Sequence, residues 1–301
     1  MYLSGFADEA TPTIEDQVAV IRELGWDHID LRAVEGTPVH DLDDAAFDRV
    51  LAALDAGGVT CSCVGSAIAA GRSSIDDAFS IALGQVERAI KRMQQLGCTR
   101  VRIMSWPIKD EDRRLDEPTA AERFRRLREI HQRFADAGIS ALHENCFNYG
   151  GQSWQHTMRL IEEVPGLRLI FDTANPIKIR DQSYGGDPKP CQSVFELWAH
   201  VREYVDYIHI KDGVYDPIEE RFQHGWPGEG MGDVRAVLRD AIARGYDDAV
   251  AIEPHIGGLQ LIPDLPDEPD ARKRAQWLEY GRRMEALLQD IGAPIAQPAV
   301  P

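Results

Sequence analysis

No apolar run in this chain approaches the ~20 residues a helix needs to cross a bilayer. The opening MYLSGFADEA has no basic start before it meets Asp8 and Glu9. Neither a membrane span nor a secretory leader is expected, and a cytoplasmic protein is the default. Positive charge is scarce: 33 Lys and Arg stand against 50 Asp and Glu, a formal net charge of -17. Such a surface repels phosphate backbones and anionic lipid, so nucleic acid and membrane are poor partners. Cysteine is sparse, and five residues without framework spacing do not make a disulfide scaffold. Cys61 and Cys63 sit two apart in an apolar run and read as buried core on one strand face. A dinucleotide fingerprint is also missing: the first strand-to-helix junction reads GFADEATP, without the Gly-x-Gly-x-x-Gly a phosphate-binding turn requires.

What is present is a repeat of kind. Short β-rich runs alternate with helical patterns about eight times. Strands are expected at Tyr2 to Ala7, His28 to Arg32, Thr60 to Gly65, Arg100 to Met104, Ser140 to Asn145, Leu167 to Thr173, Val205 to Lys211 and Ala249 to Glu253. Between them lie helical periodicities, such as Ile14, Val18, Ile21 and Leu24, closed by Gly25. Further helices are expected from an Asp43 cap to Ala56, and over Ser74 to Leu96, Pro118 to Ala137, Trp154 to Glu163, Val194 to Tyr204, Asp233 to Ala243 and Ala271 to Gln289. Strand–helix alternation implies parallel strands joined by crossover helices, and eight units suit an α/β fold of the (β/α)8 TIM-barrel type. One domain is expected over residues 1–290, with Ile262 to Asp270 a proline-rich acidic loop and residues 291–301 a flexible tail.

Active sites of such barrels lie at the carboxyl ends of the strands. The last four strands end in Glu144, Asp172, His209 and Glu253. Four metal-competent residues on successive strand ends would converge on the barrel axis. Three carboxylates and one imidazole form a hard, oxygen-rich set suited to one divalent ion. Mn2+ leads the expectation, Mg2+ and Co2+ suit it as well, and Zn2+ is compatible. Burying three carboxylates together without a cation would be costly.

These residues, with the strings HEN, FDTAN, HIKD, GEG and IEPH, the opening GFADE and DLR at the second strand, resemble the xylose isomerase-like barrel superfamily of sugar phosphate isomerases and epimerases. Its relatives include ketose 3-epimerases and inosose dehydratases. The resemblance runs from about Gly5 to Leu288. It implies a sugar or polyol substrate and a homo-oligomer, dimer or tetramer. It also implies that Glu144 and Glu253 are both ligands and an acid–base pair, one removing the proton beside a carbonyl and the other returning it. Asn175 stands where epimerases usually carry histidine, and Lys211-Asp212 follow His209 where they tend to carry arginine. The same base could therefore expel a β-leaving group from a keto-sugar, inosose or 3-keto-glycoside, giving lyase or dehydratase chemistry. Candidate substrate contacts are Lys211 and His255, each two residues beyond a ligand, Arg32 at the end of strand two, Trp106 as a sugar platform and Glu229 in a Gly-rich turn. A related barrel serves DNA repair, but that role calls for more histidine ligands and a basic face. A non-catalytic sugar-binding barrel would not need the glutamate pair.

Overall fold

The computed structural model describes residues 1–108, 113–259, 261–262 and 265–295. Eight parallel strands form one sheet: Tyr2–Gly5, His28–Leu31, Thr60–Val64, Arg100–Ile103, Ser140–Glu144, Arg168–Asp172, Val205–Ile210 and Ala249–Ile252. Strands two to eight pair in chain order, and the first pairs with the eighth, Ser4 opposite Ala251. A single parallel bridge, Phe6 to Asp30, joins the first strand to the second and closes the ring. This is the (β/α)8 barrel that the alternation implies.

The helices begin where side chains can satisfy free backbone N–H groups. Thr13, Asp43, Ser153, Ser193 and Glu268 each accept from the N–H three residues on. Gly58 and Gly97, at φ of 58° and 67°, end the helices Asp44–Gly57 and Phe79–Leu96 in the left-handed region. The expected helix from Ser74 starts instead at Phe79. Ser74 and Asp77 explain this: the Asp77 carboxylate accepts from the Ser74 N–H at 2.6 Å, and the Ser74 hydroxyl accepts from the Asp76 N–H at 3.1 Å. These local bonds compete with the helical ladder. Three features were not anticipated: the short helix Asn175–Lys178, a tight hairpin at Ala33–Val34 and Thr37–Pro38, and a second hairpin, Gly213–Asp216 with Arg221–His224. Residues 296–301 of the expected tail, and 263–264 of the acidic loop, lie outside the described residues. Within the described part of the expected tail, the carbonyl of Pro294 accepts from the amino terminus at 3.0 Å.

Two apolar layers result. The larger lies between strands and helices and includes Ile21, Leu127, Ile130, Leu238, Trp277 and Met284. The smaller fills the lower barrel with Cys63, Leu142, Ile170, Tyr207, Ala249 and Ala251. Side chains two residues apart on a strand share a face. Leu142, Ile170, Tyr207 and Ala251 therefore dictate that Glu144, Asp172, His209 and Glu253 also point inward, one layer higher.

Candidate metal centre

The structure brings those four residues together. Their ligand atoms all lie within 4.8 Å of one another, and every one of the four side chains is buried. Glu144 Oε2, Asp172 Oδ2 and Glu253 Oε2 are shut from solvent; Arg102 lies 3.1 Å from the first, and Lys211 lies 3.1 and 2.7 Å from the other two. Buried carboxylate oxygens call for electropositive partners. Three carboxylates and one imidazole converging in this way fit a hard divalent cation, which Glu144, Asp172, Glu253 and Nδ1 of His209 would hold.

Each ligand is aimed by a neighbour. Asp172 Oδ1 accepts from the backbone N–H groups of Ala174 (3.0 Å) and Asn175 (2.8 Å), which turns Oδ2 toward the centre. The Asn145 amide clamps the Asp172 backbone, donating to its carbonyl at 3.0 Å and accepting from its N–H at 2.7 Å. His209 Nδ1 faces Glu144 Oε1 at 3.3 Å and Glu253 Oε2 at 3.6 Å, while Nε2 faces Asp30 Oδ2 at 3.6 Å. Asp30 is itself held by the hydroxyls of Ser4 and Tyr207, each donating at 2.6 Å. A carboxylate behind a ligating imidazole fixes its tautomer and raises its basicity.

Cationic side chains offset the acidic charge. Arg102 Nη1 lies 3.1 Å from Glu144 and 3.6 Å from Glu253. Lys211 Nζ lies 2.7 Å from Glu253, 3.1 Å from Asp172 and 4.0 Å from Glu144. Arg32 contacts Asp8, Glu9 and Glu253 at 2.8, 3.2 and 3.0 Å. His255 bridges Glu9 (2.8 Å) and Glu253 (3.4 Å). Burial alone would raise the Glu144 carboxyl, but Arg102, with help from His209 and Lys211, carries it down to about 2. Burial likewise opposes ionisation of Glu253, yet Lys211, His255 and Arg102 hold it well below the usual carboxylate range. Burial disfavours imidazolium at His209 and His255, and the carboxylates around them outweigh it, raising both to about 9.

Of the other candidates, Lys211, Arg32 and His255 line this centre. Trp106 is not brought to it: its indole is buried in the core, 5.8 Å from the Arg126 guanidinium, and its backbone is held at φ 54°. Glu229 is not brought to it either, since its carboxylate pairs with Arg283 of the final helix at 2.9 Å. The Gly-rich turn serves Asp212 instead, whose carboxylate accepts from the N–H groups of Gly213, Gly228, Gly230 and Gly232. Sequence reasoning missed Asp30, Arg102, Glu9 and Phe6. Phe6 packs edge-on against His209 at 5.2 Å and under the guanidinium groups of Arg32 and Arg102 at 4.8 and 5.1 Å. The available signal for Arg102 was the alternation of Arg100 and Arg102 with Val101 and Ile103, which puts both charges on one face of the strand.

Residues 18–280 match the family described as xylose isomerase-like TIM barrel. No curated protein matches the chain. Among solved structures, one is a xylose isomerase-like TIM barrel protein from Mycobacterium smegmatis in complex with magnesium, 18% identical, with 95% of this chain and 97% of that one covered at a TM-score of 0.66. A D-psicose 3-epimerase with D-tagatose from Clostridium cellulolyticum H10 is 17% identical over 94% and 98%, with a TM-score of 0.64. The probable 3-DHS dehydratase AsbF from Bacillus anthracis is 17% identical over 92% and 99%, at 0.62. At these identities the likeness is one of fold.

Proposed function

Since this chain belongs to the family of xylose isomerase-like TIM barrels, we propose that it is a divalent-metal-dependent sugar isomerase or epimerase. One observation carries the reading: four ligand atoms from four successive strand ends lie within 4.8 Å of one another. Glu144 and Glu253 form the acid–base pair. Arg102 and Lys211 keep both ionised at neutral pH, so either can accept the proton beside the substrate carbonyl, and its partner first takes a proton from solvent in order to return one on the opposite face. A bound divalent ion, Mn2+ by preference, supplies a Lewis acid for the charge that develops on the carbonyl oxygen. Lys211 and Arg32 are placed to hold substrate oxygens. The fold-level likeness to a magnesium-bound barrel and to a ketose epimerase supports the reading. A cytoplasmic homo-oligomer belongs to the same proposal; no helix among the described residues is long and apolar enough to cross a membrane.

A second reading, dehydration or β-elimination, is favoured by His255. Its imidazolium lies 3.4 Å from Glu253 and is partly exposed, which suits a general acid to a departing oxygen. Incubating the manganese-loaded protein in deuterated water with ketoses, inososes and 3-keto-glycosides separates the two. Deuterium uptake with the substrate skeleton intact marks an isomerase; a new double bond or released aglycone marks a lyase. Absence of metal-dependent exchange on every substrate would sink both. Glu144→Gln and Glu253→Gln should each lower exchange at least about 100-fold.

A further inference from the structure

Nearly every cationic side chain around the centre lies against a carboxylate. Lys178 does not. It projects from the short helix Asn175–Lys178, which starts directly after the ligand Asp172. Its ammonium is half-buried between the rings of Phe147 and Phe222, 5.8 and 5.2 Å from their centroids. Those ring faces offset part of the cost of withdrawing an ammonium from water. No ion pair to it occurs among the described residues. Burial, and then the neighbouring Lys211, make it easier to deprotonate than an ordinary lysine.

Three residues earlier, and so on the same helix face, Asn175 is only 1% exposed, and its Nδ2 has no acceptor. Its backbone N–H donates to Asp172 Oδ1 at 2.8 Å, which ties it to the metal centre. Beside Phe222, whose ring lies 4.8 Å from its own, His224 presents a buried Nδ1 without a partner and packs edge-on against His255 at 5.3 Å. Burial and the cations Lys178, His255 and Lys211 hold His224 neutral, near 3. This side of the mouth thus offers donors and positive charge with nothing to receive them.

We infer that Lys178 and Asn175 form a subsite for an anionic group on the substrate, a carboxylate or a phosphoryl group, so that the sugar handled here is a charged one. This deepens the metal-centred reading above and rests on it. Neutral ketoses would leave Lys178 and the Asn175 amide unmatched, whereas an anion would satisfy both with charge-assisted hydrogen bonds.

The test is calorimetry on the manganese-loaded protein with three ketoses that share one reacting head: D-fructuronate for the carboxylate, D-fructose 6-phosphate for the phosphoryl group and neutral D-fructose. At least one charged ketose should bind about 10-fold or more tighter than D-fructose. Lys178→Met should erase that preference with little change for D-fructose, Lys178→Arg should keep most of it, and Asn175→Ala should reduce it. If Lys178→Met misfolds by circular dichroism, Lys178→Gln replaces it in the same measurement. Manganese binding is titrated first. If manganese does not bind, the metal-centred reading falls and this inference with it. If manganese binds but the three ketoses bind alike, or Lys178→Met weakens all equally, or no charged ketose binds by about 10 mM, only the anionic subsite is overturned.

Discussion

Nζ of Lys211 lies 2.7 Å from Oε2 of Glu253, a buried ion pair at the centre. The ammonium and a divalent cation therefore compete for the same oxygen. Lys211→Met should destabilise the metal-stripped protein by about 3–5 kcal/mol, because it leaves buried carboxylates uncompensated. The same variant should bind manganese more tightly, and its melting temperature should rise more on loading than that of the unaltered protein. Calorimetry and thermal melts read both effects. An unchanged manganese affinity would rule out competition.

Asp30 would act on a bound cation only through His209, whose Nε2 lies 3.6 Å from its carboxylate. Asp30→Asn should weaken manganese binding about 10- to 100-fold while leaving the four ligands in place. Titration by calorimetry, with circular dichroism as a control on folding, decides it. Full affinity in the variant would mean that the 3.6 Å approach to Nε2 has no orienting role.

His143, next to a ligand but facing Ser105 at 2.9 Å, is driven by burial down to about 4. Its folded-state value lies below the unfolded 6.5, so the unfolded chain takes up the proton first. Its contribution is whole above pH 6.5 and falls away as pH drops toward 4, amounting to at most about 3 kcal/mol. Proton NMR of the ring should give a midpoint near 4. A midpoint near 6.5 would mean a solvated ring.

Asp212 gathers four backbone donors, two on each oxygen. Burial works to raise its carboxyl, and these four N–H groups oppose the rise. Asp212→Asn turns an acceptor into a donor facing other donors, and should cost about 2 kcal/mol or more. Gly232→Ala should act similarly, because a Cβ there would stand 2.8 Å from Asp212 Oδ1. Urea denaturation measures both. A loss below about 0.5 kcal/mol would be that of an ordinary surface change.

Much of the centre was readable in the residues because two rules coincide. An apolar strand fixes which face is inward, and a barrel fixes which end is open. Glu144, Asp172, His209 and Glu253 satisfy both. Trp106 followed a strand end in the same way, yet its left-handed backbone turns the indole toward Arg126, and no local pattern announces that. Glu229 depended on Arg283, 54 residues further along the chain. Asp30 sat inside the DLR string, but its role requires Ser4 and Tyr207 from distant strands. The hairpin Gly213–His224 was hidden because its turn is made by the Asp216 side chain accepting from the Ile218 and Glu219 N–H groups, a bond the composition does not advertise.

The single bridge between Phe6 and Asp30 gives the ring one weak stitch, and both of its residues touch His209. The cylinder is thus least firmly sewn directly behind its own ligand. Any opening of that stitch would swing the imidazole, and any ion gripping the imidazole would in turn draw the stitch shut. Catalytic readiness and the integrity of the whole wall would then rise and fall together.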